Sequence, residues 1–221
     1  MMKVYGTATS ACTHKVLMVL AEKDQHADLV EVSVLAGHDK SPEHRRRQPF
    51  GEIPVLEDDG FVLYESRAII RYLDRRLPGL SLTPSDIRSH GLMEQWISVE
   101  QSYVSGPVWE LVRGGPVYDI IRASPGAKYL PPPPDADAVA AARGELATAF
   151  DVADAVLADQ EFLAGSEFTL AEVTWLPYLQ YLVASGGGDL IGARPHLARW
   201  WRQISGREAW RRVGRVLERP E

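Results

Sequence analysis

Cysteine is nearly absent. A single residue, Cys12, excludes an internal disulfide framework and a cysteine-built zinc site, and it fits a reducing compartment. A basic excess is absent too. The formal net charge is −6, which argues against nucleic acid and anionic membrane surfaces as partners. The cluster Arg45-Arg46-Arg47 is too short to reverse that balance and reads as a solvated helix face. No apolar run approaches the length of a membrane span. Met1-Met2-Lys3 leads straight into an apolar strand pattern, with no basic segment, long apolar stretch or small-residue cleavage site, so a cytoplasmic protein is expected. There is no internal repeat. What remains, 45% hydrophobic and 24% charged, is an ordinary globular composition with room for one large domain or two small ones.

The first part of the chain alternates strand and helix signals. Lys3 to Tyr5 is a short apolar strand ended by Gly6, and Ser10 starts a helix with Val16, Leu17, Leu20 and Ala21 on one face. Leu29 to Val34 alternates as a strand, with Val30, Val32 and Val34 on one side. Ser41-Pro42-Glu43 opens a second helix, Ser41 as N-cap and Pro42 in the first helical position. Val55 to Glu57 and Phe61 to Leu63 flank Asp58-Asp59-Gly60 as a hairpin. A third helix runs from Glu65 to Leu77 with Ile69, Ile70, Leu73 and Leu77 inward. The order is βαβαββα, with parallel crossovers between the early strands and an antiparallel terminal hairpin.

Pro78-Gly79 stops that helix, and nearly every later signal is helical. Met93, Trp96, Ile97 and Glu100 to Val104 fit one long helix, loosened near Gly106-Pro107. Pro131 to Pro134 form a stiff extended connection, after which Asp135 or Asp137 caps a helix bearing Leu146, Phe150, Ala153 and Leu157. Thr169 to Glu172 is a capping box, Pro177 should bend the helix it starts, and Gly186-Gly187-Gly188 ends it. Two short helices close the chain, from Pro195 and from about Gly206. The fold class is α+β: a mixed domain over residues 1–77, a linker at 78–84, and an all-helical domain over 85–221.

Two motifs carry chemistry. Ile53-Pro54 lies between a loop and a strand, where an X-Pro bond is a candidate cis peptide. A cis bond would turn the Ile53 N–H and C=O outward, to pair with an extended ligand backbone as a further strand would. Otherwise the proline simply initiates a strand. Glu65-Ser66 opens a helix whose free N–H groups and dipole favour an anion, although either side chain would also serve as a plain N-cap. Together they describe a clamp for a small peptide-like anion.

These residues resemble the cytosolic glutathione transferases. The resemblance rests on Tyr5-Gly6, Ser10, Thr13, Val16, Glu22-Lys23, the run Pro49-Phe50-Gly51-Glu52-Ile53-Pro54-Val55-Leu56-Glu57-Asp58 and Glu65-Ser66-Arg67-Ala68-Ile69. It is dense over residues 3–77 and nearest to the phi class and its bacterial relatives. It implies a thioredoxin-like domain followed by a helical one. It also implies glutathione as co-substrate, with no tightly bound cofactor and no metal, and a small hydrophobic electrophile as second substrate. By that resemblance Glu65 and Ser66 grip the γ-glutamyl end of glutathione, Ile53 pairs with its backbone, and Lys40 meets its glycine carboxylate. Ser10 occupies the catalytic serine position. A hydroxyl there can donate to a thiolate, and the helix N-terminus adds about 0.3–2 kcal/mol of favourable potential. At about 1.4 kcal/mol per pKa unit, the two could lower a bound thiol's pKa by roughly one to two units. Thr9 could cap the helix in its place. Cys12, two residues on and rotated to another face, reads as a bystander thiol.

The glycine end departs from the family pattern. Asp39 stands where the family has a histidine, and Glu52 where it has a glutamine before the Ile-Pro step. Two acids beside a ligand carboxylate would repel it unless His38, Lys40 or the nearby arginines compensate. Tyr103, Pro107 and Trp109 are candidates for the apolar wall of the second-substrate pocket, and Phe50 for a contact that keys into a partner subunit in a homodimer. The alternatives are a glutathione-dependent peroxidase, isomerase or dehalogenase on the same scaffold, or a binding and assembly module without turnover. Such modules often lack the hydroxyl or the Glu-Ser pair.

Overall fold

The computed structural model describes residues 2–123, 127 and 130–214; residues 215–221, where the expected helical domain ends, lie outside them. The chain packs as two compact units, one built on residues 2–81 with the closing helix at 208–214, the other on Leu82–Ala123 and Pro131–Arg207.

The first unit follows the expected order. Strands β1 (Met2–Gly6), β2 (Asp28–Glu31), β3 (Val55–Asp58) and β4 (Phe61–Tyr64) form one sheet in the order β2-β1-β3-β4. Helix α1 (Ala11–Glu22) carries the chain from β1 to β2, and these two strands are parallel. The parallel expectation stops there: β3 runs antiparallel to β1, pairing Val55 with Tyr5. Between β2 and β3 the chain forms only a 3-10 turn at His38–Lys40 and the four-residue α2 (Pro42–Arg45). β2 is also shorter than its alternation suggested. The Val32 N–H still donates to Gly6, but the Ser33 hydroxyl accepts from the Ala36 N–H and turns the chain, leaving Val34 exposed. The β3–β4 hairpin closes on Asp59 (φ 49°) and Gly60 (φ 89°), the two successive positive φ angles of a type I′ turn.

Tyr5, Val32 and Val55 cluster on one face of the sheet with Val30, Ile53 and Tyr64. Val4 and Leu56, also fully buried, stand on the other face. Helix α3 (Ser66–Arg76) buries Ile69, Ile70 and Leu73 and packs against α1. At their far ends the two helices are joined by a buried ion pair, Lys23 Nζ to Asp74 at 3.0 Å. The buried surface of α1 is wider than the expected stripe. Leu17 and Ala21 are half-buried, whereas Thr13, His14 and Lys15 are fully covered. The reason is the closing helix α11 (Glu208–Gly214), which packs on α1 and sets Trp210 edge-on to the His14 ring at 5.6 Å. Burial lowers the His14 pKa to about 4.

The helical unit comprises α4 (Ile87–Val99), α5 (Ser105–Arg113), α6 (Pro116–Ala123), α7 (Ala136–Leu157), α8 (Leu170–Ala184), α9 (Gly188–Gly192) and α10 (Pro195–Ser205). A π-turn at Glu100–Val104 joins α4 to α5. Pro107 explains it: without an N–H, and with its ring against the preceding turn, proline disrupts the regular ladder one turn upstream. Trp175 sits in the core with Trp96 and Trp200 edge-on at 5.7 and 5.9 Å, and its indole N–H donates to the Trp96 carbonyl. The capping box of α8 is present, with Glu172 buried beneath it and accepting from the Thr169 and Leu163 N–H groups. Burial raises its carboxyl pKa. α10 is capped from a distance: Arg194 supplies no cap, and Asp154 of α7 accepts from the His196 and Leu197 N–H groups at 2.8 Å. No helix among the described residues is long and apolar enough to cross a membrane.

Candidate functional site

The turn after β1 delivers Ser10 to the start of α1. Ser10 has extended backbone (φ −88°, ψ 127°), and its Oγ accepts from the Thr13 N–H at 3.3 Å. It is therefore the N-cap, and Thr9 is not. An oxygen that accepts a backbone N–H still holds its own hydrogen, so a capping Ser10 can donate to a negatively charged sulfur beside it. Gly6, the last residue of β1, makes room for this turn: a Cβ there would meet Thr13 Oγ1 at 2.6 Å. Cys12 is the second residue of α1 and half-buried. It does not share the capping position.

α3 begins differently. Glu65 is its N-cap, at φ 71° and ψ 108°, and its side chain makes no capping bond. A non-glycine residue at positive φ is strained by about 1–3 kcal/mol and persists only where its surroundings impose it. Here the consequence is an exposed acidic side chain that does not cap its own helix, while the Glu65 carbonyl accepts from the Ala68 and Ile69 N–H groups at 2.9 Å. Ser66 is the first helical residue and buried. An ammonium group can meet Glu65 while a carboxylate meets the N-terminus of α3.

The Ile53–Pro54 bond is cis. Ile53 precedes β3, so its N–H and C=O lie outside the ladder that begins at Val55. Glu52, just before it, is held by its backbone. Its N–H donates to Gln48 Oε1 at 3.2 Å, and its carbonyl accepts from His44 Nε2 at 2.7 Å. A carbonyl can only accept, so Nε2 carries the His44 proton. His44 and Gln48 are both buried and escaped the sequence reading; their only signal is a four-residue spacing on a segment otherwise read as solvated. That segment is itself not uniform. Arg45 and Arg46 are exposed, but Arg47 is half-buried, with its guanidinium 4.4 Å above the Tyr5 ring. The Tyr5 hydroxyl in turn donates to Glu57.

At the other end stand Asp39 and Lys40. Lys40 Nζ donates to the Gly51 carbonyl at 2.5 Å and to Glu52 Oε1 at 2.9 Å, and lies 3.3 Å from Asp39 Oδ2. Partial burial works against its charge, but the bonds to Glu52 and Asp39 prevail and hold its pKa above the ordinary lysine value. Gly51 is obligatory: φ is +68°, and a Cβ would meet the Asp39 carbonyl and Lys40 Cδ at 2.9 Å. In the helical unit, Tyr103 and Trp109 keep exposed ring surface, whereas Pro107 is buried. Trp109 stands edge-on to Tyr118, 5.9 Å away. Phe50 is 68% exposed, touching Tyr64 edge-on at 6.3 Å.

Comparison with known proteins gives these arrangements their setting. The model for the glutathione S-transferase N-terminal domain matches residues 1–75, and that for the C-terminal domain matches residues 120–208. Glutathione S-transferase F12 of Arabidopsis thaliana is 32% identical over 214 residues, 96% of each chain. Glutathione S-transferase hmp2 of the fungus Hypomyces subiculosus is 35% identical, covering 94% of this chain and 95% of its own. Glutathione transferase F7 of Populus trichocarpa superposes with a TM-score of 0.88 at 30% identity, covering 99% of this chain and 100% of its own. Plant and fungal relatives carry the phi-class resemblance; its bacterial part gains nothing from them.

Proposed function

The chain belongs to the glutathione S-transferase family, and from that premise we propose how its residues conjugate glutathione to small hydrophobic electrophiles. Ser10 donates its hydroxyl hydrogen to the glutathione sulfur. That bond, with the dipole of α1, favours the thiolate over the thiol, whose proton leaves to water. No general base is required. The thiolate attacks the electrophilic carbon, a carbon–sulfur bond forms, and the leaving group departs with its electron pair. Glu65 and the first turn of α3 hold the γ-glutamyl end, Ile53 pairs with the cysteinyl backbone, and rate is gained from this fixed placement as well as from thiolate formation. The observation that carries the reading is the Ser10 Oγ accepting from the Thr13 N–H, which leaves its own hydrogen free for the sulfur.

The exposed rings of Tyr103 and Trp109 suit an apolar second substrate, with Pro107 setting the break in the helix that presents them. Phe50, an exposed aromatic on a polar loop, suits a contact in a homodimer. A detoxifying role in the cytoplasm accords with a chain that has one cysteine.

The test is calorimetric titration with glutathione, followed by ultraviolet titration of the bound thiol and by conjugation of 1-chloro-2,4-dinitrobenzene. We expect binding, a bound thiol roughly one to two pKa units more acidic than the free one, and product formation. Failure to bind glutathione at millimolar concentration sinks the reading.

A further inference from the structure

The two peptide units that meet at Glu52 are held differently. In the Gly51–Glu52 unit both polar groups are engaged: the Gly51 carbonyl accepts from Lys40 Nζ at 2.5 Å, and the Glu52 N–H donates to Gln48 Oε1 at 3.2 Å. In the Glu52–Ile53 unit the Glu52 carbonyl accepts from His44 Nε2 at 2.7 Å, while the Ile53 N–H lies outside the ladder that begins at Val55. This peptide bond is trans, the cis bond being the next one along. A trans peptide is planar and resists rotation, with its C=O and N–H pointing opposite ways. Whatever fixes the Glu52 carbonyl therefore aims the Ile53 N–H.

His44 is placed to do this. It is almost wholly buried, and its Nδ1 has no hydrogen-bond partner among the described residues. The hydrogen bond of the ring goes to the Glu52 carbonyl. An apolar ring would fill the same space without leaving a buried nitrogen unpaired, so packing alone does not account for an imidazole here. The backbone of His44 is anchored in turn: its N–H donates to Ser41 Oγ, and its carbonyl accepts from the Gln48 N–H at 3.0 Å.

We propose that His44 is a positioning residue of the glutathione site. Through the Glu52–Ile53 peptide plane it aims the Ile53 N–H at the cysteinyl carbonyl of glutathione, without touching the ligand itself. The inference rests on the reading of Ile53 as the partner of the cysteinyl backbone, and identifies what holds that partner in line.

Calorimetry of the full chain with S-methylglutathione, and with the same ligand carrying a trans-alkene in place of its cysteinyl–glycine amide, reads that one bond. The alkene keeps the shape and the glycine carboxylate but has no cysteinyl carbonyl. Wild type is expected to bind it roughly 3–10-fold more weakly. His44→Phe keeps a ring and loses the donor, so it should bind S-methylglutathione roughly 3–10-fold more weakly than wild type and the two ligands about equally. His44→Gln, whose amide nitrogen stands as many bonds from Cβ as Nε2 does, should restore the preference. If urea unfolding shows that the phenylalanine variant does not fold, His44→Asn, whose amide stops one bond short, takes its place. The inference is overturned if the variant without the donor keeps the wild-type preference, if His44→Gln stays without it, or if Gln48→Met, which loses a bond of the other peptide unit, abolishes it equally. Wild type that binds both ligands alike also overturns it, by removing the Ile53 bond, and leaves the glutathione site standing. Failure of wild type to bind either S-methylglutathione or glutathione removes the glutathione reading itself.

Discussion

Helices α1 and α3 both open on a residue with an oxygen-bearing side chain, and they use it in opposite ways. Ser10 turns back onto its own helix and accepts from the Thr13 N–H. Glu65, held at positive φ, makes no such side-chain bond, and only its carbonyl accepts from the Ala68 and Ile69 N–H groups. One helix end is capped by a side chain, with a hydroxyl hydrogen left over; the other has no side-chain cap and a carboxylate beside it. The first arrangement suits a sulfur anion, which needs one donor and a favourable dipole. The second suits a zwitterionic amino-acid head, which needs an acid and several donors together. On the proposed reading, the same element, a helix N-terminus, serves as two different subsites, and the backbone angle of one residue separates them.

The support beneath the two helix ends differs as well, and acid should expose it most strongly. α1 rests on α11 through His14, whose burial lowers its pKa from the ordinary 6.5 to about 4. Between those values the unfolded chain binds a proton that the folded chain does not. The contribution to stability is therefore complete above pH 6.5 and lost as the pH falls to about 4. The two and a half units correspond to about 3 kcal/mol. Urea unfolding of wild type should weaken by that order between pH 7 and pH 4 relative to His14→Phe, which keeps a ring against Trp210 and cannot titrate. Equal slopes for the two proteins would show that His14 is protonated, or free to become so, within the fold.

At the start of α3 the expected effect is somewhat smaller and falls on binding. Glu65→Ala should raise the glutathione dissociation constant by roughly 10–100-fold, the worth of one charge-assisted contact to an ammonium. The same substitution should change little for a glutathione analogue that lacks the γ-glutamyl amino group. Calorimetry with both ligands checks this. An equal loss for both would mean that Glu65 acts through the strained backbone of α3 and makes no contact with the ligand.

Much of this was legible from local pattern. The hairpin at Asp59-Gly60, the caps at Ser41 and Thr169, the cis bond at Ile53-Pro54 and the buried positions Ile69, Ile70 and Leu73 each depend on a few neighbouring residues. What escaped was set by distant partners. α6 and α9 are short helices whose apolar positions have too few turns to show a period. The cap of α10 comes from Asp154, more than forty residues away. The burial of His14 and Lys15 on α1 reflects α11, which no pattern near residue 14 announces. The identities of Asp39, Lys40 and Glu52 were evident, but the contacts of Lys40 were not, because they join two segments of chain, residues 39–40 and 51–52, around one atom. Ser10 and Glu65 show the same limit: both could cap or bind in sequence, and only backbone angles separate them.

On the proposed reading Ser10 both caps α1 and donates to the sulfur, and the smallest effect tests whether the two can be divided. Ser10→Ala removes the cap and should cost about 0.5–2 kcal/mol of stability, together with the donor to the sulfur. Because both losses arrive together, that variant alone cannot tell a catalytic hydroxyl from a helix that has frayed at its first turn. Ser10→Asp can. An aspartate is as good an N-cap as serine and complements the helix dipole, so unfolding by urea should return to the wild-type midpoint. Its carboxylate, however, has no proton to give at neutral pH and stands beside the sulfur, raising the thiol's pKa instead of lowering it. Conjugation of 1-chloro-2,4-dinitrobenzene should therefore stay depressed in the aspartate variant while stability recovers. If activity recovers with stability, the serine serves only to hold the turn, and the closed end of α1 contributes its dipole and no hydrogen bond.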